Sequence, residues 1–233
     1  FASLLRQTSF AAARDQTRYA FGGIRLEQTG KGGGGMCAAT DGRRLAFLPW
    51  SSDRAEGEWK AVLPLPAAAV AERWLGQVSG PVAGRADARR LWLQAGEASF
   101  AARFLEGNYP DFRKIVPKEE GDVWEAPRGA LEAGVRRAAI AAPVALRAIE
   151  VRLDPAGVVL SAQSPETGRA EVPVPGTYHG KRRTVRVNPD YLLDFLRSAL
   201  GETVRLGVRG ETEAMKIRAG DLTYVLMPLH RSG

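Results

Sequence analysis

The sequence predicts an α+β protein made of two similar domains in tandem, each with two helices packed on antiparallel sheets. Four segments place apolar residues at helical spacing, and short β-like runs punctuated by turn residues fill the intervals. The order helix, strands, helix, strands then occurs twice. Ile24 aligns with Ile149, Pro66 with Pro189 and Val82 with Val204, a period of roughly 122–125 residues that marks a duplicated domain rather than a solenoid of short repeats. A chain of 233 residues holds two such domains, each long enough to bury its own core. Residues 106–122, rich in Gly, Pro and charge, form the expected junction, giving domains 1–118 and 119–233.

The elements follow in order. Phe1, Leu4, Leu5, Thr8 and Ala11 open the chain as a weakly patterned helix, and β-like runs follow at 23–27, 36–40, 44–47 and 59–63. The second helix starts at Pro66 and carries Ala67, Val70, Ala71, Trp74, Leu75 and Val78 on one stripe; runs at 91–94 and 99–104 close the first half. Leu131, Val135, Ala138, Ala139 and Ala142 mark a third helix, followed by runs at 149–153, 157–161, 170–174 and 184–187. The fourth helix shows Leu192, Phe195, Leu196, Ala199 and Leu200, with Asn188 as N-cap, Pro189 at its first position and Gly201 past its end. Runs at 204–208, 215–218 and 222–227 finish the chain, the last stopped by Pro228.

Composition narrows the function. No run of about 18 apolar residues is present, and there is no signal-peptide pattern at the start. Cys37 is the only cysteine, so it forms neither an intrachain disulfide nor a cysteine metal cluster, and it fits a reducing, cytoplasmic compartment. His179 and His230 are the only histidines and lie far apart in sequence. With no nucleophile elbow or paired general acids either, the chain reads as a non-enzyme without cofactor or metal. The Gly-rich segment 29–35 lacks the Gly-Lys-Ser/Thr ending of a phosphate loop and reads as a hairpin tip. A net charge of +7 suits a polyanionic partner. Arg6 and Arg14, Arg73, Arg136 and Arg137, and Arg197 stand opposite the four apolar stripes, with few acids among them. Such faces can follow a phosphate backbone without reading bases.

Residues 40–46 (TDGRRLA), 106–117 (EGNYPDFRKIVP) and 224–230 (YVLMPLH), with Arg18-Tyr19 and 188–194 (NPDYLLD), occur in an order and at separations that resemble the bacterial DNA polymerase III β subunit, the DNA sliding clamp. The resemblance runs over essentially the whole chain and covers the second and third domains of a three-domain family. It implies tandem DNA-clamp domains and a non-catalytic processivity factor that encircles double-stranded DNA without sequence preference. It also implies a cleft that tethers the polymerase III catalytic subunit, the clamp loader and repair proteins through linear motifs, typically a Gln followed by Leu and Phe positions. Carried over residue by residue, the deeper subsite takes Phe21, Thr40, Gly42, Arg43, Arg44, Leu45, Pro110, Lys114, Ile115, Val225 and Met227. The neighbouring subsite takes Asn188, Tyr191, Pro228 and Leu229. DNA contact falls to Arg14, Arg18, Tyr19, Arg73, Arg136, Arg137 and Arg197.

Several positions depart from the family pattern: Arg43 where His is common, Lys114 where Arg is common, His230 in place of Arg, and a tail Arg231-Ser232-Gly233 beyond the usual end. The family's ring has six similar domains. A two-domain chain completes it either as a fragment of a longer chain, which the start at Phe1 inside a helix favours, or as three self-associating copies. A non-topological basic nucleic-acid-binding protein and an uncharacterised enzyme are the alternatives.

Overall fold

The computed structural model describes residues 1–15, 20–30, 33–52, 57–143 and 147–230. They group into two compact units, Phe1–Phe112 and Arg113–Gly233. In the first, α1 (Ala2–Ser9) leads into β1 (Gly23–Thr29), β2 (Gly34–Thr40), β3 (Arg44–Ser51) and β4 (Trp59–Pro64), an antiparallel sheet in the order β3-β2-β1-β4. After α2 (Leu65–Leu75), strands β5 (Ala83–Ala86), β6 (Arg90–Ala95) and β7 (Ala98–Arg103) form a second sheet in sequence order. The helices lie side by side, and Leu5 of α1 and Ala68 and Ala71 of α2 meet Ile24, Leu26, Cys37, Leu63, Leu91 and Leu93 in one core. The Cys37 side chain is fully enclosed there, and burial pushes its thiol up to about 12.

The second unit repeats this plan. It comprises β8 (Asp122–Pro127), α3 (Arg128–Ala139), β9 (Ile149–Asp154), β10 (Gly157–Ser164), β11 (Gly168–Val174), β12 (Thr177–His179) and β13 (Arg183–Val187). Then follow α4 (Pro189–Ser198), β14 (Thr203–Val208), β15 (Met215–Ala219) and β16 (Leu222–Leu226). One sheet runs β11-β10-β9-β13, the same chain order as β3-β2-β1-β4; in the other, β14, β15 and β16 match β5, β6 and β7, with β8 and β12 added along the β14 edge. The duplication read from the sequence is therefore a duplication of topology.

Three strands escape the sequence patterns. In β5 nearly every side chain is exposed, so no alternation shows; β12 has three residues; and β8 offers only Trp124 and Ala126 to the core within a charged segment. The fourth helix starts as expected, with Asn188 Oδ1 accepting the Asp190 N–H at 2.9 Å. It ends at Ser198 rather than at Leu200. Ala199 is already extended (ψ 139°), and Leu200 is 70% exposed instead of continuing the apolar stripe. Arg128 of α3 explains the stop: its guanidinium donates to the carbonyls of Leu196 (3.0 Å) and Gly201 (2.9 Å), satisfying groups the helix leaves without partners.

Gly134 lets α3 approach its sheet. A Cβ there would lie 2.6 Å from Val174 Cγ2 and 3.3 Å from Leu160 Cδ1. Gly134→Ala gains about 1 kcal/mol of helix propensity but adds overpacking of about 1–3 kcal/mol. The expected result is a lower urea midpoint for the second unit, falling further with Gly134→Val.

Ion pairs at the start of the same unit give it an acid limit. Arg205, then Arg218, hold the Glu120 carboxyl below the usual carboxylate range, and Arg183 together with the Lys181 N–H does the same for Asp122. Carboxyls depressed in the folded state contribute stability above their unfolded value, near about 4, and lose it as pH falls through the lower folded values. Denaturant midpoints measured downward from pH 5 should fall, and Glu120→Gln with Asp122→Asn should flatten that fall.

Candidate functional site

Residues 40–46 make a turn closed by its own side chains. Asp41 Oδ1 accepts the N–H groups of Arg43 (2.9 Å) and Arg44 (3.1 Å), and Asp41 Oδ2 accepts Arg44 Nε at 2.9 Å. Gly42 takes φ +89°, a conformation that excludes most side chains, and its N–H donates to Thr40 Oγ1 at 3.0 Å. The Thr40 hydroxyl in turn donates to the Arg44 carbonyl at 2.6 Å. Local bonding thus fixes the loop. Gly42 and Arg43 are exposed and Phe21 is half-buried, edge-on to Tyr109 at 5.7 Å; Pro110 is half-buried as well. Thr40 and Arg44 are buried, and Leu45 is wholly enclosed, so Leu45 supports this surface rather than forming it.

In the second unit, Lys114 and Ile115 are exposed in a 3₁₀ turn, Phe112–Ile115, at the unit boundary. After β16 the chain presents Met227, 43% exposed, while Val225 and Pro228 are buried and Leu229 is half-buried. The Leu229 N–H donates to the Arg186 carbonyl at 2.8 Å, fastening this segment to β13. Asn188 and Tyr191 are half-buried at the start of α4; the Tyr191 carbonyl accepts the Tyr224 hydroxyl at 3.0 Å. The Asn188 side-chain oxygen is committed to capping the helix, so its NH₂ group is not used by the cap. Met227, Leu229 and Tyr191 offer the adaptable apolar surface such a subsite needs.

The predicted DNA-contacting arginines are exposed wherever they are described. Arg14 follows α1; Arg73 lies on α2, Arg136 and Arg137 on α3, and Arg197 on α4. The expectation of few acids needs correction. Arg6 Nε bonds Glu72 at 2.8 Å across the first helix pair. In the second unit Glu132 sits among Arg136 (2.5 Å), Arg128 (3.8 Å) and Arg197 (3.9 Å). Arg73 and Arg137 enter no ion pair among the described residues, so each helix pair keeps an excess of positive charge. Arg18, Tyr19 and the tail 231–233 lie outside the described residues. Sequence spacing could have found Glu132, four residues from both Arg128 and Arg136, but not Glu72, which meets Arg6 across 66 residues. Among the described residues no group of three or more His, Cys, Asp or Glu side chains is placed to hold a metal ion, and no helix is long and apolar enough to cross a membrane.

Comparisons with known proteins agree from end to end. The family model described as DNA polymerase III beta subunit, central domain, matches residues 1–111, and the one for its C-terminal domain matches residues 113–230. The beta sliding clamp of Pseudomonas putida is 29% identical over 230 residues, and that of Escherichia coli K12 is 25% identical over 229; each match covers 97% of this chain and 62% of the relative. The crystal structure of the DNA polymerase sliding clamp from Pseudomonas aeruginosa superposes with a TM-score of 0.92 at 27% identity, over 98% of this chain and 63% of that one. This chain thus spans about three fifths of the length of the curated relatives it matches. Fold, motif order and both domain matches converge: the chain belongs to the DNA polymerase III β-subunit family and carries its central and C-terminal domains.

Proposed function

We propose that this chain supplies the DNA-encircling and partner-tethering part of a sliding clamp, a non-catalytic processivity factor working in the cytoplasm. One observation carries the reading: the duplicated unit lays a helix pair with exposed, excess arginine over its sheets twice in succession. Such surfaces hold duplex DNA through phosphates alone, which allows sliding. The ring is completed by self-association, with further domains or further copies.

Partners (the replicative polymerase subunit, the clamp loader and repair proteins) dock by short peptides whose Leu and Phe side chains bury against apolar residues such as Phe21, Pro110, Ile115, Tyr191, Met227 and Leu229. Two such anchors supply about 3–6 kcal/mol before ordering costs, which suits exchangeable, micromolar binding. The deciding experiment loads the native gene product onto nicked circular DNA and then linearises the circle. A clamp slides off the free ends; retention on the linear product would identify a non-topological basic DNA-binding protein instead.

A further inference from the structure

On the second unit, the outer face of the β11-β10-β9-β13 sheet, turned away from α3, carries a polar recess. Strand alternation puts Glu150 and Arg152 of β9, Ser161 of β10 and Arg186 of β13 on this face, while Ile149, Val151, Leu160 and Val185 point into the core. Register sets Arg186 directly beside Glu150, and Glu150 beside Ser161. With Arg169 of β11 these side chains line a cavity of about 260 Å³. Two features separate it from an ordinary charged surface. The Nε atoms of Arg152 and Arg186 are shut off from solvent and have no hydrogen-bond partner among the described residues. Arg152 and Arg169 engage Glu171 only through terminal nitrogens, at 2.5 and 2.6 Å, and Arg186 enters no ion pair among the described residues. Those Nε atoms lie out of a ligand's reach, but Arg186, which no carboxylate among the described residues holds, and the excess of three arginines (Arg152, Arg169, Arg186) over two glutamates (Glu150, Glu171) on this face leave the recess a positive charge that the terminal guanidinium nitrogens can offer to an oxyanion.

We propose that this recess is an oxyanion pocket that takes the carboxylate of an acidic residue on a protein partner, next to the second unit's share of the peptide cleft. The proposal rests on the clamp reading above. Its geometric support is that one strand serves both: Arg186 contributes its side chain to the pocket and its carbonyl to Leu229, and Asn188 follows two residues, about 7 Å, along the chain. A peptide seated on Asn188, Tyr191 and Leu229 therefore reaches the recess with a flanking residue. Duplex DNA fits less well. Glu150 and Glu171 are interleaved with the arginines, so the face receives one compact charge rather than a rail of phosphates.

The test uses the whole chain. First, arginine Nε–H resonances are followed by NMR against tetraglutamate, tetraglutamine, inorganic phosphate at matched ionic strength, and a short duplex. Tetraglutamate should shift the Arg152 and Arg186 signals saturably, and Arg186→Gln should weaken that response at least about fivefold. No saturable shift, an equal response to phosphate (an adventitious ion only), or a stronger response to duplex DNA overturns the proposal. Second, peptides bearing the Gln, Leu and Phe anchors are flanked by either three Glu or three Gln residues. The Glu version should bind about tenfold more tightly, a difference that disappears in Arg152→Gln/Arg186→Gln while the Gln version binds as before. If both versions bind equally to the native chain, the pocket plays no part in peptide recognition. If neither binds but tetraglutamate does, the cleft reading fails and the pocket stands.

Discussion

Phe195→Ala should destabilise the second unit by about 3–5 kcal/mol, the range for removing a large aromatic side chain from a closed core. Phe195 is fully buried on α4 and stacks on Tyr224 of β16 with ring centroids 5.0 Å apart and planes 14° from parallel. Tyr224 is equally buried, and its hydroxyl reaches back to the Tyr191 carbonyl. Deleting the Phe195 ring therefore leaves a cavity and also frees Tyr224, the link between the last strand and the start of α4. Tyr224→Phe provides the contrast. It keeps the stacking and gives up one hydrogen bond, worth about 1 kcal/mol. Urea unfolding of both variants separates the two contributions; a Phe195→Ala loss as small as that of Tyr224→Phe would show that the core collapses to fill the space.

Replacing Arg73, Arg136, Arg137 and Arg197 together by Gln should flatten the dependence of DNA affinity on salt. Each neutralised phosphate adds about 0.9 to the slope of log K against log salt, so four contacts set a ceiling of roughly 3.6. The ion pairs apportion it unevenly. Arg136 is held by Glu132 at 2.5 Å and Arg197 lies 3.9 Å from the same carboxylate, whereas Arg73 and Arg137 have no such partner among the described residues. Arg73→Gln/Arg137→Gln should accordingly remove more of the slope than Arg136→Gln/Arg197→Gln. A slope that none of these variants changes would take DNA off the helix faces.

Much of the fold could be read from the sequence because its long elements carry their own signals. The stripe Leu192, Phe195, Leu196 and the Asn188-Pro189 start define α4, and Asp41-Gly42 defines a turn. These are local bonds between near neighbours in sequence. What the sequence hid depends on distant partners. The strand β8 is recognisable only once β14 lies beside it, and α4 stops at Ser198 because Arg128 arrives from α3. The same division holds at the candidate surfaces. The family resemblance singled out Met227, which is exposed, and Tyr191, which is half-buried, but also Leu45, which tertiary packing encloses completely. Arg152 and Arg186 belong to the polar half of alternating strands, a pattern indistinguishable in sequence from a solvated face.

If the helix faces follow a phosphate rail as proposed, Glu132 makes that hold adjustable at a single position. Because Arg136 and Arg197, on two different helices, share this one carboxylate, exchanging it for a neutral amide would release both without touching the core, while Arg128 stays bonded to the Leu196 and Gly201 carbonyls. On that reading, grip strength and architectural integrity are set by different residues, and drift at one codon would retune the first while sparing the second.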